Sequence, residues 1–389
     1  MYEQAQAALA AEANTGGIAS ARQAPAPPAA AAALCTSKRG GDRFYSEPRT
    51  CGTCFYRPPP PPPRPPAPPG SRFHFAGYWE SWAEPWAASP AASRLAQLPS
   101  YVDIVCLAFM WPEAPYRGGL TFEGTGLSFS SEPAVVNGAN ALLKRRNPRT
   151  RVLVSVGGAT YASWDRLNAT AIANFVREFG LDGVDVDYEG DGSCWRERGK
   201  MACTTDRGYT QAVRKLRQAL PRPRYLLTTA AWSIGAYGEG RFASSLPQGS
   251  HTGMSLNVLR AAGRLLDYVF VMSYDAGDKQ SPPGNPTGFN AKEAISAYCT
   301  HFPCSRVLAG VQVPPESLGG ARISVPEAED LGGWAARRGA GGLMLWSLTK
   351  QGSPSAQQLA QAACRSLNKR GCGVPLSQDG AKPGARRGA

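Results

Sequence analysis

The sequence predicts an α/β fold, a (β/α)8 TIM barrel, preceded by a low-complexity, Pro-rich N-terminal arm. From residue 73 onward, short apolar runs alternate with helical segments, and eight such runs are present before residue 349. Near-continuous apolar strands that alternate with helices are typical of a parallel sheet covered by helices, and eight repeats match the barrel. An open doubly wound sheet is the alternative, but its strand count and switch point would differ.

The predicted strands are short apolar stretches, each followed by a Gly-, Ser- or otherwise polar loop. Helical segments such as 134–146, 171–180, 209–220 and 325–339 lie between them. The eight strands are predicted at 73–79, 101–110, 151–158, 181–189, 225–232, 267–275, 306–313 and 341–348.

The segments outside the barrel differ from it in composition. Residues 1–56 form an Ala-rich arm that carries Cys35, Cys51 and Cys54, and we expect most of it to be disordered. Residues 57–71 form a linker in which ten residues are proline, which favours a stiff polyproline II spacer of roughly 40 Å at ~3.1 Å per residue. The catalytic barrel is expected at 72–373 and a disordered basic tail at 374–389.

Charge and hydropathy exclude some classes of partner. The net charge of +13 arises from 42 Lys and Arg against 29 Asp and Glu, but no basic block with interleaved aromatics occurs, so no nucleic-acid partner is predicted. No run of 18 apolar residues occurs, so no membrane span is predicted either. We expect a monomer.

Most of the nine tryptophans follow predicted strands. Because the active site of such a barrel lies at the carboxyl ends of its strands, eight of the nine are expected on that face. Flat aromatic faces along a groove suit sugar rings, although two or three of these residues are expected to be loop anchors. The eight are Trp79, Trp82, Trp86, Trp111, Trp164, Trp195, Trp232 and Trp346, and Trp334 lies in a helix.

The stretch LDGVDVDYEG places four carboxylates within eight positions of an otherwise apolar strand. Since side chains alternate along a strand, Asp185, Asp187 and Glu189 share one face at a spacing of ~6–7 Å. Three like charges in a low-dielectric barrel mouth cannot all ionise freely, so at least one pKa must rise. Glu189 is the outermost, which suits a protonated general acid.

Five motifs, in order on five predicted strands, resemble glycoside hydrolase family 18, the chitinase family, over about residues 72–370. They are GYW at 77–79, SVGG at 155–158, DGVDVDYE at 182–189, MSYD at 272–275 and LMLWS at 343–347. The third matches the DxxDxDxE signature of that family in full. Family 18 enzymes are an exception to the two-carboxylate rule of glycosidases, because the substrate itself assists.

The resemblance implies a role for each matched position. Glu189 would protonate the glycosidic oxygen, and Asp187 would swing from Asp185 to orient the N-acetyl group of the substrate. Tyr274 would hydrogen-bond that acetamide, whose oxygen would attack the anomeric carbon and give an oxazolinium ion with net retention. Tyr78 and Ser155 would hold Asp185, and Trp346 would form the floor for the sugar. The predicted substrate-binding set is Tyr78, Ser155, Gly157, Gly158, Met272, Asp275, Trp346, Trp232 and Trp164.

Several alternatives remain at these residues. The DxDxEG run echoes an EF-hand, but its twelfth position would be Arg196 instead of a bidentate Glu, and no His cluster favours a transition metal. No metal or cofactor is therefore predicted. Ser155, Gly157 and Gly158 could serve only close strand packing, and Tyr274 could be a core tyrosine. A non-hydrolytic, chitin-binding lectin on the same barrel is a further alternative.

The cysteines bear on the compartment. Cys194 with Cys203, Cys299 with Cys304 and Cys364 with Cys372 could each close a short surface loop, whereas Cys106 is expected to be a buried thiol. Close pairs on loops favour an oxidising, extracellular location, although the N-terminus does not resemble a signal peptide. The tripeptide beginning at Asn168 is a possible glycosylation sequon.

The segment from about 314 to 340 concerns the substrate. Many family members insert a small domain between their last two strands, but here one helix uses most of that length. We therefore expect an open groove, endo-type attack on β-1,4-linked N-acetylglucosamine in chitin or chitooligosaccharides, and no domain that walls the groove. An endo-β-N-acetylglucosaminidase acting on N-glycans would use the same acids and remains the alternative.

Overall fold

The structure, a computed structural model, describes residues 72–276, 288–317 and 321–376. Eight parallel strands close into a barrel in the order β1, β10, β9, β8, β7, β4, β3, β2, and β5 pairs antiparallel with β6 in a separate hairpin. The strands are β1 (His74–Glu80), β2 (Ile104–Met110), β3 (Arg151–Gly157), β4 (Gly183–Asp187), β5 (Trp195–Glu197), β6 (Lys200–Ala202), β7 (Leu226–Trp232), β8 (Tyr268–Met272), β9 (Val307–Gln312) and β10 (Gly342–Trp346). The predicted fold class is confirmed.

Helices cover the outside of the barrel. Good N-caps start several of them: Asn290 accepts from two backbone N–H groups, and Ser324 and Ser355 form capping boxes with Glu327 and Gln358. The helices are α1 (Pro133–Arg146), α2 (Ala169–Glu178), α3 (Asp206–Ala219), α4 (Leu256–Ala262), α5 (Ala291–His301), α6 (Val325–Arg337) and α7 (Ala356–Ser366). Short 3₁₀ turns occur at Leu95–Gln97, Trp164–Arg166, Gly240–Phe242, Gly263–Leu265 and Cys304–Arg306.

Strand alternation divides the core into two parts. On β4, Val184 and Val186 face outward and join a large cluster packed between barrel and helices. Residues of the opposite parity, such as Tyr78, Leu153 and Phe270, fill the barrel interior in a second, smaller cluster. The interior is thus packed by side chains up to its carboxyl end, where polar groups replace them.

Three disulfides pair the cysteines as predicted: Cys194–Cys203, Cys299–Cys304 and Cys364–Cys372. Cys106, on β2, is a buried free thiol inside the barrel. The first bridge closes the loop that carries the β5–β6 hairpin, directly after β4.

Residues just after position 373 contact the barrel. The carbonyl of Val374 accepts a hydrogen bond from Tyr101 Oη at 3.0 Å, and Leu376 is buried. The N-terminal arm, the polyproline linker, the three cysteines before residue 55 and the tail from 377 lie outside the described residues.

Asn168 has a structural use. Its Oδ1 caps α2 by accepting from the N–H of Ala171 at 3.1 Å, and its Nδ2 donates to the carbonyl of Ala114 at 3.0 Å. A glycan on Nδ2 would disrupt the second bond, so this geometry disfavours use of the sequon. Among the described residues, no helix is long and apolar enough to cross a membrane.

Candidate active site

A pocket opens at the carboxyl ends of the barrel strands, where the fold class places an active site. Residues from β1, β2, β4, β7, β8 and β10, or from the loops that follow strands, contribute to it. Its lining consists of Tyr78, Phe109, Ala159, Asp187, Glu189, Trp232, Met272, Tyr274, Asp275, Ser317 and Trp346.

Three of the carboxylates lead from the barrel interior to this pocket. Asp185 is completely buried, Asp187 is 3% exposed, and Glu189, two residues beyond the end of β4, is half-buried. Asp187 and Glu189 both line the pocket, whereas Tyr188 between them turns outward and stacks on Trp164 and Tyr209. The alternation expected from the sequence is therefore present.

Three hydroxyl groups hold Asp185. Its Oδ2 accepts from Tyr78 Oη and from Ser155 Oγ, both at 2.8 Å, and its Oδ1 accepts from Thr228 Oγ1 at 2.6 Å. Burial raises the pKa of the Asp185 carboxyl, and the three donors oppose that rise. Tyr78 and Ser155 were expected at this position, and Thr228 was not.

Asp187 has a very different environment. Burial, followed by the charges of Glu189 and Asp185, raises the pKa of Asp187 well above its ordinary value. Its Oδ1 is buried and has no hydrogen-bond partner among the described residues. An orphaned carboxyl oxygen facing a pocket, next to another carboxyl, can share a proton with its neighbour and can accept a bond from a ligand.

Two glycines after β3 allow the backbone to approach Asp187. Gly157 has φ +105°, and a Cβ there would lie 2.2 Å from the carbonyl oxygen of Asp187. The N–H of Gly158 donates to the same carbonyl at 2.9 Å, and a Cβ on Gly158 would meet the Phe109 ring at 2.9 Å. Neither glycine is among the residues that line the pocket, and both lie where the backbone packs closely against Asp187 or Phe109.

A fourth carboxylate lies at the foot of β4. Asp182 Oδ2 accepts from the N–H of Val152 at 2.9 Å, and the carboxylate forms ion pairs with Lys144 at 3.0 Å and Arg151 at 3.5 Å. Asp182 therefore ties β4 to β3 at the end of the barrel away from the pocket.

A second acidic group occupies the opposite side of the mouth. The N–H of Asp275 donates to Glu316 Oε2 at 2.7 Å. The Gln312 amide is best oriented with its nitrogen 3.0 and 3.1 Å from the two carboxylate oxygens of Asp275 and its oxygen toward Ser317. Burial, followed by the nearby charge of Asp275, raises the pKa of Glu316 to about 7.

Lys350 and Glu80 complete this group. Lys350 Nζ donates to the carbonyl of Pro315 at 2.9 Å. Burial lowers the pKa of Lys350, while the charges of Asp275, Glu80 and Glu316 oppose that shift. Glu80 Oε2 accepts from Thr349 Oγ1 at 3.2 Å, and burial raises the pKa of Glu80. We call Glu80, Asp275, Glu316 and Lys350, with the Gln312 amide, the rim cluster.

Aromatic rings extend the pocket in two directions. Toward β1, Trp346 stacks on Phe109 with ring centroids 5.5 Å apart, and Phe109 lies 6.1 Å from the half-exposed Trp82. Toward β7, Trp232 stacks on His251 at 4.0 Å. Such flat surfaces suit the faces of sugar rings.

Several predicted site residues lie elsewhere. Trp164 is buried, stacks on Tyr188 at 4.8 Å and contacts the backbone at Gly157, so it supports the site from behind and does not line the pocket. Trp79 also faces outward and donates to Glu84 at 3.2 Å, because alternation places it opposite Tyr78. Of the predicted set, the pocket brings together Tyr78, Asp187, Glu189, Trp232, Met272, Tyr274, Asp275 and Trp346.

Sequence reasoning missed other residues of the site. Phe109 ends an apolar strand and resembles any core residue, and Ala159, Ser317 and Glu316 lie in loops without a distinctive pattern. Thr228 could have been found from its position on β7, because the barrel pairs it with Asp185.

Comparison with known proteins identifies the family. The family model described as glycosyl hydrolases family 18 matches residues 74–313, more than half of the chain. The chain belongs to glycosyl hydrolase family 18. The resemblance expected from the five motifs is confirmed, and the chain is chitinase-like.

Curated relatives of this family 18 chain match over limited stretches. A chitinase of Plasmodium falciparum (isolate 3D7) is 35% identical over 129 residues, which cover 30% of this chain and 32% of that protein. Chitinase 1 of Aphanocladium album is 25% identical over 203 residues, which cover 44% of this chain and 42% of that protein. This chain thus spans less than half the length of either relative.

Solved structures share the fold. A family 18 chitinase from Pseudoalteromonas aurantia has a TM-score of 0.55 and 22% identity, covering 75% of this chain and 99% of its own. Human YKL-39, a pseudo-chitinase with retained chitooligosaccharide binding, has a TM-score of 0.54 and 14% identity, covering 76% of this chain and 100% of its own. At these identities the likeness concerns the fold alone.

Proposed function

We propose that this chain hydrolyses β-1,4-linked N-acetylglucosamine polymers, chitin and its oligosaccharides, with retention of configuration and assistance from the substrate. One observation carries the proposal: Asp185, Asp187 and Glu189 form a row from the buried interior to an aromatic-lined pocket. This row holds a proton at the point where a sugar chain can lie.

Proximity of the buried carboxyl groups favours retention of a proton. The pKa of Asp187 is raised by burial first and by the charge of Glu189 second, so this pair holds a proton more strongly than isolated carboxyl groups do. Glu189 is the more exposed of the two and is the group that reaches a glycosidic oxygen. It donates the proton to the glycosidic oxygen as the bond between that oxygen and the anomeric carbon breaks. The sugar that keeps this oxygen then leaves as an alcohol.

The nucleophile comes from the substrate. The acetamide oxygen attacks the anomeric carbon and gives an oxazolinium ion, a step that needs no second carboxylate across the bond. Asp187, whose Oδ1 lacks a partner, accepts the acetamide N–H and balances the developing positive charge. Tyr274, which lines the pocket, donates its hydroxyl to the acetamide oxygen and orients it.

The second step returns the proton. Glu189, now a carboxylate, removes a proton from water as the water oxygen attacks the anomeric carbon and opens the oxazolinium ring. Two displacements at one carbon give net retention. Tyr78, Ser155 and Thr228 keep Asp185 hydrogen-bonded throughout, so it can carry charge when Asp187 turns away.

Two features support endo-type attack. β9 ends at Gln312 and β10 begins at Gly342, with α6 at Val325–Arg337 between them, which leaves no room for a walling domain. Aromatic surfaces also leave the pocket on two sides. A chain that continues in both directions can be accommodated.

A non-hydrolytic chitin binder is the second candidate, because YKL-39 combines this fold with chitooligosaccharide binding and pseudo-chitinase character. The presence of both Asp187 and Glu189 in the pocket favours the enzyme. Incubation with chitotetraose separates the two, since a binder yields no product.

Proton NMR of the first products from chitin oligosaccharides tests the mechanism. We expect the β-anomer to appear first and then to mutarotate. An initial α-anomer would contradict attack by the acetamide. Release of the glycan from an N-glycoprotein, without cleavage of chitotetraose, would favour the endo-β-N-acetylglucosaminidase alternative.

An extracellular location is also proposed. Three disulfides close short segments of the described barrel, and two of them begin within helices, at Cys299 of α5 and Cys364 of α7; such bridges suit an oxidising compartment. Thiol alkylation of the protein from its native source should leave these six cysteines unmodified, and modification of all six under non-reducing conditions would argue against this location.

A further inference from the structure

A hairpin directly after the acid row presents an exposed tryptophan. β5 and β6 pair Trp195 with Ala202 and Arg196 with Met201, and the Cys194–Cys203 disulfide closes the base of the hairpin. Trp195 is 47% exposed, which is similar to Trp82 at 46% and less than Trp86 at 66%.

One face of the hairpin is firmly attached to the barrel. Met201 is buried and packs so closely that a Cβ at Gly238 or Gly253 would lie 2.6 or 2.5 Å from its side chain. The N–H of Met201 donates to Glu239 at 2.7 Å, and its carbonyl accepts from Asn257 at 3.1 Å. These contacts hold the hairpin rigidly against the barrel, so the side chains on its other face have a fixed position.

Trp195 lies on that other face. Directly opposed residues of an antiparallel pair share a face and neighbours along a strand alternate, so Met201 and Arg196 point toward the protein. Trp195 and Glu197 then point away from it.

Residues 250 and 251 connect the base of the hairpin to the pocket. The N–H of Cys194 donates to the carbonyl of Ser250 at 2.9 Å. The next residue, His251, stacks on the pocket residue Trp232 at 4.0 Å. A single short segment thus contacts both the pocket wall and the residue before Trp195.

We propose that Trp195 is a carbohydrate-binding platform that extends the pocket on its β4–β7 side. Its occupant is a pyranose ring of the same N-acetylglucosamine chain, remote from the bond that is cleaved, stacked on the indole face. This inference deepens the proposed function and rests on it for the identity of the sugar. An uncharged sugar polymer binds through stacking on flat apolar surfaces more than through charge. An indole ring on a hairpin that is fixed to the barrel provides such a surface.

Binding measurements test the platform independently of turnover. In a Glu189→Gln background, calorimetric titration compares chitohexaose with chitobiose for Trp195, Trp195→Ala and Trp195→Phe. We expect Trp195→Ala to weaken chitohexaose binding about tenfold, with chitobiose affinity unchanged and partial recovery in Trp195→Phe. Glu197→Gln on the same exposed face is the control and should bind normally.

Three outcomes are distinct. Equal chitohexaose affinity in Trp195→Ala and its parent overturns the platform and leaves the proposed function intact. Equal loss for both sugars, with a lowered melting temperature, assigns Trp195 a structural role and also overturns it. Failure of every protein to bind chitohexaose overturns both proposals.

Discussion

The barrel mouth holds two groups of acids on opposite sides, and their surroundings differ. On β4, Asp185 is held by neutral hydroxyls, and no cation contributes to the pKa shift of Asp185 or Asp187 among the described residues. In the rim cluster, burial raises the pKa of Glu80 and of Glu316 and the charge of Lys350 opposes both rises, while backbone and amide donors hold Glu316 and Asp275. The β4 acids thus have only neutral donors beside them, whereas the rim acids have a lysine and hydrogen bonds to loops.

The difference distinguishes reactive from supporting carboxylates. Burial without a neighbouring cation disfavours the ionised form of an acid and raises its pKa, so the acid holds a proton that it can transfer. In the rim cluster, hydrogen bonds join the acids to one another and to the loops after β8, β9 and β10, so these carboxyl groups hold the loops together. Burial alone does not identify a catalytic acid, since both groups are buried.

Replacement of the outermost acid should give the largest effect. Glu189→Gln removes the group that reaches the glycosidic oxygen, and we expect kcat on chitotetraose to fall about 10³-fold, the size typical of general-acid catalysis. Chitotetraose binding should be nearly unchanged by calorimetry. Glu123→Gln, an exposed glutamate outside the pocket, is the matched control. Retained turnover would remove Glu189 from its proposed role.

Asp187→Asn should follow, with kcat lowered about 10²-fold, because the amide cannot balance the charge of the oxazolinium ion. The comparison predicts a smaller effect for the isosteric change across the mouth, Asp275→Asn. If the two variants lose activity equally, the distinction between a reactive and a supporting side is wrong.

Removal of one hydroxyl from Asp185 tests how that carboxylate is held. Tyr78→Phe leaves Ser155 and Thr228 as donors and should cost about 1–3 kcal/mol of unfolding free energy, since a buried acceptor loses one partner. Activity should fall about tenfold, because the pKa of Asp185 rises further and Asp187 is less free to turn. Tyr116→Phe removes a buried hydroxyl far from the acids and should leave kcat unchanged; an equal loss of activity there would show that the effect is general.

The prediction for Glu316 concerns the pH dependence of stability. Its pKa of about 7 in the folded protein lies above its ordinary value of 4.5, so the folded state binds more protons between these values. This contribution to stability is complete below pH 4.5 and is lost as the pH rises to about 7, by at most about 3 kcal/mol. Glu316→Gln should flatten the melting-temperature profile over that window. An unchanged slope would show that Glu316 does not titrate there.

The sequence was sufficient for the row on β4. Two-residue alternation placed Asp185, Asp187 and Glu189 on one face and Tyr188 on the other, because a strand leaves no other choice. The partners Tyr78 and Ser155 followed from family motifs. Thr228 carries no motif, and only the closed order of strands brings it beside Asp185.

The rim cluster could not be predicted in the same way. Glu316 and Lys350 lie in loops, where neither period nor motif fixes a side-chain direction, and their meeting depends on how three loops pack. The tryptophans show a related limit: Trp79 and Trp164 are near strand ends but face the helices. Position along the barrel axis does not determine which way a side chain points.

Asp182, although it lies at the end of β4 away from the pocket, helps to fix the register of that strand. Because a slip of one residue would exchange the two faces of a strand, a misplaced β4 would present valines to the pocket and acids to the helices. The bonds from Val152, Lys144 and Arg151 oppose that slip. Asp182, the first aspartate of the signature, therefore keeps β4 in the register that directs Asp187 and Glu189 toward the pocket.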